Sequence, residues 1–200
     1  MNPKTRNILR MTILLIFVVI IIAFMVNPIL KGRKQISQLE NSPQWSQQTQ
    51  QIIQDRRMWD LSIPEWIGKT ITDFDFQDTN ANQFNIADFK GKKLLLILWA
   101  TWCGPCKEEI PHLIALRKII PEDELAIVAF SNEDNQLIKD FQIARGLNYT
   151  IASLPDSSPE PLISINGIPA AIFIDKNGVI KFATVGTLNL GTMKTIINDI

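Results

Sequence analysis

Trp99-Ala100-Thr101-Trp102-Cys103-Gly104-Pro105-Cys106-Lys107 holds both cysteines of the chain, at the end of the most apolar run outside the N-terminus. Residues 94–99 read Leu-Leu-Leu-Ile-Leu-Trp. An unbroken apolar run of strand length suits a strand buried on both faces. A helix-like pattern follows from about Pro105, and proline fits a helix start because a first-turn N–H has no partner inside the helix. The cysteine pair therefore sits where a central strand turns into a helix. Two thiols this close can join in a disulfide with a small loop. As free thiols, the first lies at a helix N-terminus, where the dipole favours thiolate.

Upstream of this strand, residues 72–77 and 82–86 alternate apolar and polar residues about a polar turn, which predicts a hairpin. Residues 87–91 read as a short helical or turn element ending in Gly91. Downstream, a helix over about residues 105–119 contains Pro111, which removes an internal hydrogen bond and is expected to kink it. Residues 125–130 read as a second buried strand. Asn132 or Asp134 can cap a helix running to Arg145, with Leu137, Ile138, Phe141 and Ala144 at helical spacing and Gly146 closing it. Residues 154–161 form a proline- and serine-rich loop. Strands over 170–174 and 179–184 are joined through Asp175-Lys176-Asn177-Gly178, where Asn-Gly signals a hairpin. A last helix covers about 190–200. The order β-hairpin, β, α, β, α, β, β, α predicts an α/β fold: a mixed central sheet flanked by helices on both faces.

The N-terminal part has a different character. The 200 residues carry 20 basic and 20 acidic side chains, and residues 1–30 hold Lys4, Arg6 and Arg10 with no acid. The remainder is mildly acidic, which argues against a nucleic-acid surface. Residues 11–30 are uncharged and, as a helix, span about 30 Å, the thickness of a bilayer core. They are expected to form a transmembrane anchor after a short cytoplasmic tail over 1–10. A cleaved signal peptide is the alternative, but Ala23-Phe24-Met25 ends in the wrong residue for a small-x-small site. Lys31, Arg33 and Lys34 nearly balance the basic residues before the span, so charge alone does not orient it. Because a short N-terminal tail usually stays in the cytoplasm, the C-terminal part is expected to be extracytoplasmic, or periplasmic, on the inner membrane. Residues 31–60 form a Gln-rich polar linker, read as a tether. Ser42 and Pro43 could start a helix there that runs through Ile52, Ile53 and Arg57. Trp45, Trp59 and Trp66 could pack on the domain or the membrane interface. The globular domain is expected over residues 61–200.

Two cysteines in one Cys-x-x-Cys fit redox or metal chemistry better than a disulfide scaffold. Zinc wants about four ligands, and beyond the cysteines the chain offers one histidine, His112. On a helix His112 is rotated about 240° from Cys106. No metal site is expected, and His112 reads as a helix-surface residue. A disulfide serving only as a staple would constrain the unfolded chain little, because its loop is small.

In this setting Trp102-Cys103-Gly104-Pro105-Cys106-Lys107 resembles the active site of the thioredoxin superfamily. Asp88-Phe89-Lys90-Gly91-Lys92, Trp99-Ala100-Thr101-Trp102-Cys103, Lys107-Glu108-Glu109-Ile110-Pro111, Gly167-Ile168-Pro169 and Asp175-Lys176-Asn177-Gly178 resemble its membrane-anchored TlpA-like branch, over roughly residues 61–200. The resemblance implies a thioredoxin-like fold and a periplasmic or cell-surface thiol–disulfide oxidoreductase. Such a protein exchanges a redox-active Cys103–Cys106 disulfide with substrate protein cysteines, often apocytochrome c thiols. It takes or gives electrons through a membrane partner and needs no dissociable cofactor.

The resemblance also assigns roles. Cys103, expected to be exposed, attacks a substrate disulfide, and Cys106 resolves the mixed disulfide. Trp102, Gly104 and Pro105 flank the substrate, and Trp99 either walls the site or packs in the core. The proline matching Pro169 is cis and faces the cysteines, so the backbone of Ile168 would pair with an extended substrate; the residues alone also allow a plain turn proline. The acid that thioredoxins carry in the strand falls on Ile97 and is absent. Glu109 shares a helical face with Cys106 and matches a glutamate that assists proton transfer in this branch, the alternative being a solvated acid that complements the helix dipole. Gly104-Pro105 is the dipeptide of reducing thioredoxins, so a reductant is expected. The competing outcomes are a disulfide-forming oxidant, a non-catalytic peptide- or metal-binding module on the same fold, and a peroxidase, for which Thr101-Trp102-Cys103 lacks the proline-rich setting.

Overall fold

A computed structural model describes residues 45–56 and 65–200. Helix α1 (Gln47–Arg56) precedes a hairpin of β1 (Asp75–Gln77) and β2 (Gln83–Asn85), which leads into a single 3-10 turn over Ile86–Phe89 capped by Asn85. Then come β3 (Lys93–Leu98), α2 (Gly104–Ile119), β4 (Leu125–Ser131), α3 (Asn135–Arg145), β5 (Thr150–Ser153), β6 (Ala170–Ile174), β7 (Ile180–Val185) and α4 (Leu190–Asp199). The expected membrane span at 11–30 and Trp59 lie outside the described residues. Among the described residues no helix is long and apolar enough to cross a membrane.

Five strands form one sheet in the order β5-β4-β3-β6-β7. β3 runs parallel to β4, and β4 to β5; β6 is antiparallel to both β3 and β7. The mixed sheet is the one the element order predicts. Strand side chains alternate between faces, and in β3 both faces are filled. Leu95 and Ile97 join the cluster made by Leu113 and Leu116 of α2, Ile138 of α3, and Met193, Ile196 and Ile197 of α4. Leu94, Leu96 and Leu98 join Phe74, Phe76, Phe89 and Leu162 on the other side. That double burial is why the strand reads as an unbroken apolar run.

Three features depart from the sequence expectation. First, among the described residues the helices cover only one face. The other carries the hairpin, the 3-10 turn and the 154–168 segment, where Phe76 stacks edge-on to Phe130 at 5.0 Å. The prolines at 155, 159 and 161 suit turns and not a covering helix. Second, β5 is an additional edge strand. Its four residues are too few to show a period, and its rungs to β4 are a tertiary fact.

Third, the described part of the expected tether, residues 45–56, packs on the domain and belongs to the same compact unit as residues 65–200. Helix α1, expected within the tether, packs with α4. Ser46 N–H donates to the Asp199 carboxylate at 2.8 Å, Trp45 is buried, and Ile52 and Ile53 lie against the core. Trp66 is half-buried against the hairpin-side cluster.

The cap and hairpin-turn signals behave as their chemistry predicts. Asp134 caps α3 by accepting the N–H groups of Gln136 and Leu137, and Gly146 closes it in the left-handed region at φ 62°. Gly178 turns the β6–β7 hairpin at φ 81°. Pro111 lies inside α2, which continues through it.

Candidate active site

The site forms where β3 and β4 end and β6 begins. Leu98 pairs with Ala170, so Trp99 and Pro169 emerge side by side from neighbouring strands. Trp99 N–H makes the last rung, to Phe130 C=O at 3.1 Å. The chain then leaves the sheet, and a turn closed by Cys103 N–H to Ala100 C=O at 3.2 Å brings it to the helix. Cys103 is the N-cap of α2, and its Sγ accepts the Cys106 N–H at 3.2 Å. Pro105 sits in the first turn, where its missing N–H costs nothing. Cys103 and Cys106 are joined in a disulfide.

Exposure around the pair is uneven. Trp102 is 69% exposed, and Gly104 and Pro105 are exposed beside it. Cys103 is only 4% exposed, against the expectation that the attacking thiol is open. In the disulfide its sulfur turns toward Cys106 and packs in the cluster with Trp99, Ala100 and Ile110. Trp99 is buried against Phe141 with ring centroids 5.3 Å apart, which gives it the core role. Its indole N–H has no hydrogen-bond partner among the described residues.

The proline side is stitched to the helix side by one segment. The Ile168–Pro169 bond is cis, as the resemblance implies. Pro169 C=O accepts Gly186 N–H at 2.7 Å, Thr187 Oγ1 donates to Pro105 C=O at 3.4 Å, and Leu188 N–H donates to Glu109 Oε1 at 2.7 Å. Ile168 is half-buried between the two clusters. At Gly167 a Cβ would lie 2.8 Å from Val185 Cγ1, so a side chain there would require Val185 to shift.

Glu109 is not a solvated acid. It is 1% exposed, three residues after Cys106 on α2, with one carboxylate oxygen on the Leu188 amide. Its charge also reaches Tyr149, whose phenol burial and the Glu109 carboxylate together push well above its ordinary value. Ile97, where thioredoxins place their acid, is buried in β3. His112 is half-buried on α2, and among the described residues no cluster of three or more His, Cys, Asp or Glu could hold a metal ion.

One group escaped the sequence. Glu133, in the turn between β4 and α3, accepts Thr101 N–H through Oε2 and Thr101 Oγ1–H through Oε1, each at 2.6 Å. Ser131 Oγ donates to Oε2 at 2.9 Å. Burial alone would raise the Glu133 pKa, but the hydrogen bonds from Thr101 and Ser131 outweigh it and hold the carboxyl below its ordinary value. Ser131-Asn132-Glu133-Asp134 reads as an ordinary polar loop, and only the parallel pairing of β3 with β4 puts it against the cysteine turn.

A mixed sheet, a Cys-x-x-Cys disulfide capping a helix, and a cis-proline turn on the adjoining strand define the thioredoxin-like class of thiol–disulfide oxidoreductases. Residues 67–183, more than half of the chain, match the AhpC/TSA family, and the chain belongs to it. It is similar to the thiol-disulfide oxidoreductase ResA of Oceanobacillus iheyensis, 30% identical over 139 residues that cover 67% of this chain and 72% of that protein. With ResA of Bacillus subtilis it shares 22% identity over 199 residues, covering 99% and 95% of the two chains. Among solved structures, a thiol:disulfide interchange protein from Chlorobium tepidum superposes with a TM-score of 0.59 at 24% identity, covering 66% of this chain and 94% of that one. StoA from Bacillus subtilis gives a TM-score of 0.53 at 24% identity, covering 64% and 96%. These structures share the fold. The chain is a thiol–disulfide oxidoreductase whose redox group is the Cys103–Cys106 pair.

Proposed function

We propose that this protein is a membrane-anchored, extracytoplasmic reductant of disulfides in other proteins, with Cys103 as nucleophile and Cys106 as resolving thiol. The observation that carries the roles is the cap geometry: Cys103 Sγ receives the Cys106 N–H at the N-terminus of α2, where a thiolate would keep that bond and the favourable helix dipole.

In the reduced protein the Cys103 thiolate attacks one sulfur of a substrate disulfide. The substrate S–S bond breaks, a Cys103–substrate disulfide forms, and one substrate thiolate leaves and takes a proton. Cys106 loses its proton and attacks Cys103 Sγ. The mixed disulfide breaks, the second substrate thiol is released, and two electrons have passed to the substrate. Glu109 accepts the Cys106 proton: it is buried on the same helical face and held on the Leu188 amide, so its position is set before the step. Ile168 and Pro169 supply the edge on which an extended substrate segment lies, and Trp102 is exposed next to Cys103 in the chain. An electron donor in the membrane returns the pair to the dithiol.

Residues 11–30 supply the anchor in this account and place the domain outside the cytoplasmic membrane. Substrates of that compartment with paired cysteines, apocytochrome c among them, fit the reaction, which also serves extracytoplasmic redox homeostasis. The deciding experiment is the reduction potential of the Cys103–Cys106 pair. A value near that of thioredoxin, about −270 mV, supports a reductant, and one near about −120 mV makes the protein a disulfide-forming oxidant.

A further inference from the structure

We propose that Glu133 is a positioning residue of the redox pair: acting through Thr101, it fixes the turn that carries Cys103 and holds a negative charge there that strengthens the pair as a reductant. The inference rests on the oxidoreductase reading above and concerns how strongly the pair gives up electrons.

The turn needs a fastener. Between the last sheet rung at Trp99 and the helix cap at Cys103, the backbone has left β4, and Cys103 N–H returns only to Ala100 C=O. Glu133 supplies the missing tie. Its two carboxylate oxygens take both donors of Thr101, and its own N–H goes to Ser131 Oγ at 3.2 Å. Ser153 Oγ of β5 donates to its C=O at 3.4 Å. The carboxylate is thus held from β4 and β5 and is aimed at the backbone two residues before the nucleophile. Hydrogen bonds to an ionised acceptor are the stronger kind, and both oxygens are engaged.

The charge then acts on the equilibrium. In exchange with glutathione, the protein disulfide and two glutathione thiols give the protein dithiol and one glutathione disulfide. Reduction creates a thiolate-forming Cys103 two residues beyond the Thr101 that Glu133 holds, and a like charge in its vicinity disfavours the thiolate. The disulfide form is favoured in relative terms, so the dithiol gives up its electrons more readily. The helix dipole pulls the other way, and Glu133 offsets it.

Two substitutions separate charge from fastening. Glu133→Gln removes the charge and keeps an oxygen for Thr101 N–H. Thr101→Val removes the Oγ1 donor and keeps the charge. The measurement is the equilibrium constant for reduction of each full-length protein by glutathione, with the pH profile of Cys103 alkylation alongside. In Glu133→Gln the constant is expected to rise about tenfold, the effect of one charge roughly 10 Å away in an effective dielectric near 20. That is about 30 mV for a two-electron couple. The alkylation profile should move to lower pH. In Thr101→Val the constant should stay within about twofold of the parent. The proposal is overturned if Glu133→Gln leaves the constant unchanged, or if Thr101→Val moves it as far. If the parent pair does not exchange with glutathione at all, the oxidoreductase reading itself fails, and this inference with it.

Discussion

Glu109 Oε1 accepts the Leu188 N–H at 2.7 Å, so the buried acid of α2 is fastened to the segment that enters α4. The same segment holds Pro169 through Gly186 and Pro105 through Thr187. A buried carboxylate is costly unless it is hydrogen-bonded, and here the bond also fixes it three residues beyond Cys106. The arrangement suits a proton acceptor whose position is set in advance.

Glu109→Gln tests that role with little change of shape, because the amide oxygen can still accept from Leu188. Resolution of the Cys103 mixed disulfide, followed by rapid quench, is expected to slow about 100-fold, the usual scale for a positioned general base. The first attack by Cys103 should change far less. An unaltered resolution rate would remove Glu109 from the chemistry and leave it a structural ligand of the Leu188 amide.

The contact between α1 and α4 should be sensitive to acid. Burial raises the Asp199 pKa, but hydrogen bonds from Ser46 and Thr49 and the nearby Lys93 charge outweigh it, so the folded value is depressed. A depressed carboxylate stabilises the fold above its unfolded value, about 3.9, and that contribution is lost as the pH falls through the folded value. Asp199→Ala is expected to cost about 1 kcal/mol at pH near 7. The difference from the parent in thermal melts should shrink as the pH falls below the unfolded value toward the depressed folded one. A difference that stays the same as the pH falls would mean the carboxylate charge contributes nothing.

The core prediction concerns Phe173 of β6, which is fully buried and lies 5.9 Å from the Phe182 ring. Phe173→Ala leaves a cavity against β3 and α4 and should cost about 3–5 kcal/mol in urea unfolding. A loss below about 1 kcal/mol would mean that the sheet collapses freely around the missing ring, contrary to the close packing of such cores.

Much of this was legible in the chain itself. Residues 94–99 gave away β3 because both of its faces are buried, and Pro105 within the Cys-x-x-Cys marked a helix start, since both are local facts. Asp134, Gly146 and Gly178 announced their caps and turns for the same reason. What escaped depends on contacts far apart in sequence. Glu133 matters only because β4 lies parallel to β3, and Leu188 only because α4 returns to α2. Cys103 is buried as a member of the core cluster, bonded to its partner sulfur. Helix α1 reads as part of a tether because its sequence is Gln-rich, and that Ile52, Ile53 and the preceding Trp45 join the core is a tertiary fact.

The anchor has its own test. The full chain should sediment with membranes and resist extraction by about 1 M salt, which screens surface charge to a few ångströms but leaves a hydrophobic span in place. A chain lacking residues 1–34 should stay in the soluble fraction. Salt-extractable full-length protein would contradict the anchor.

The central claim is that Cys103 turns over on disulfides of other proteins, and trapping tests it most directly. With Cys106→Ser in the full-length chain, reduced and mixed with a disulfide-bonded protein substrate, attack can occur but resolution cannot. A covalent adduct should accumulate that is lost on reduction and that requires Cys103, so the same experiment on Cys103→Ser with Cys106 intact should yield far less. Failure of the Cys106→Ser protein to form any adduct, or equal adduct through Cys106 alone, would contradict the account.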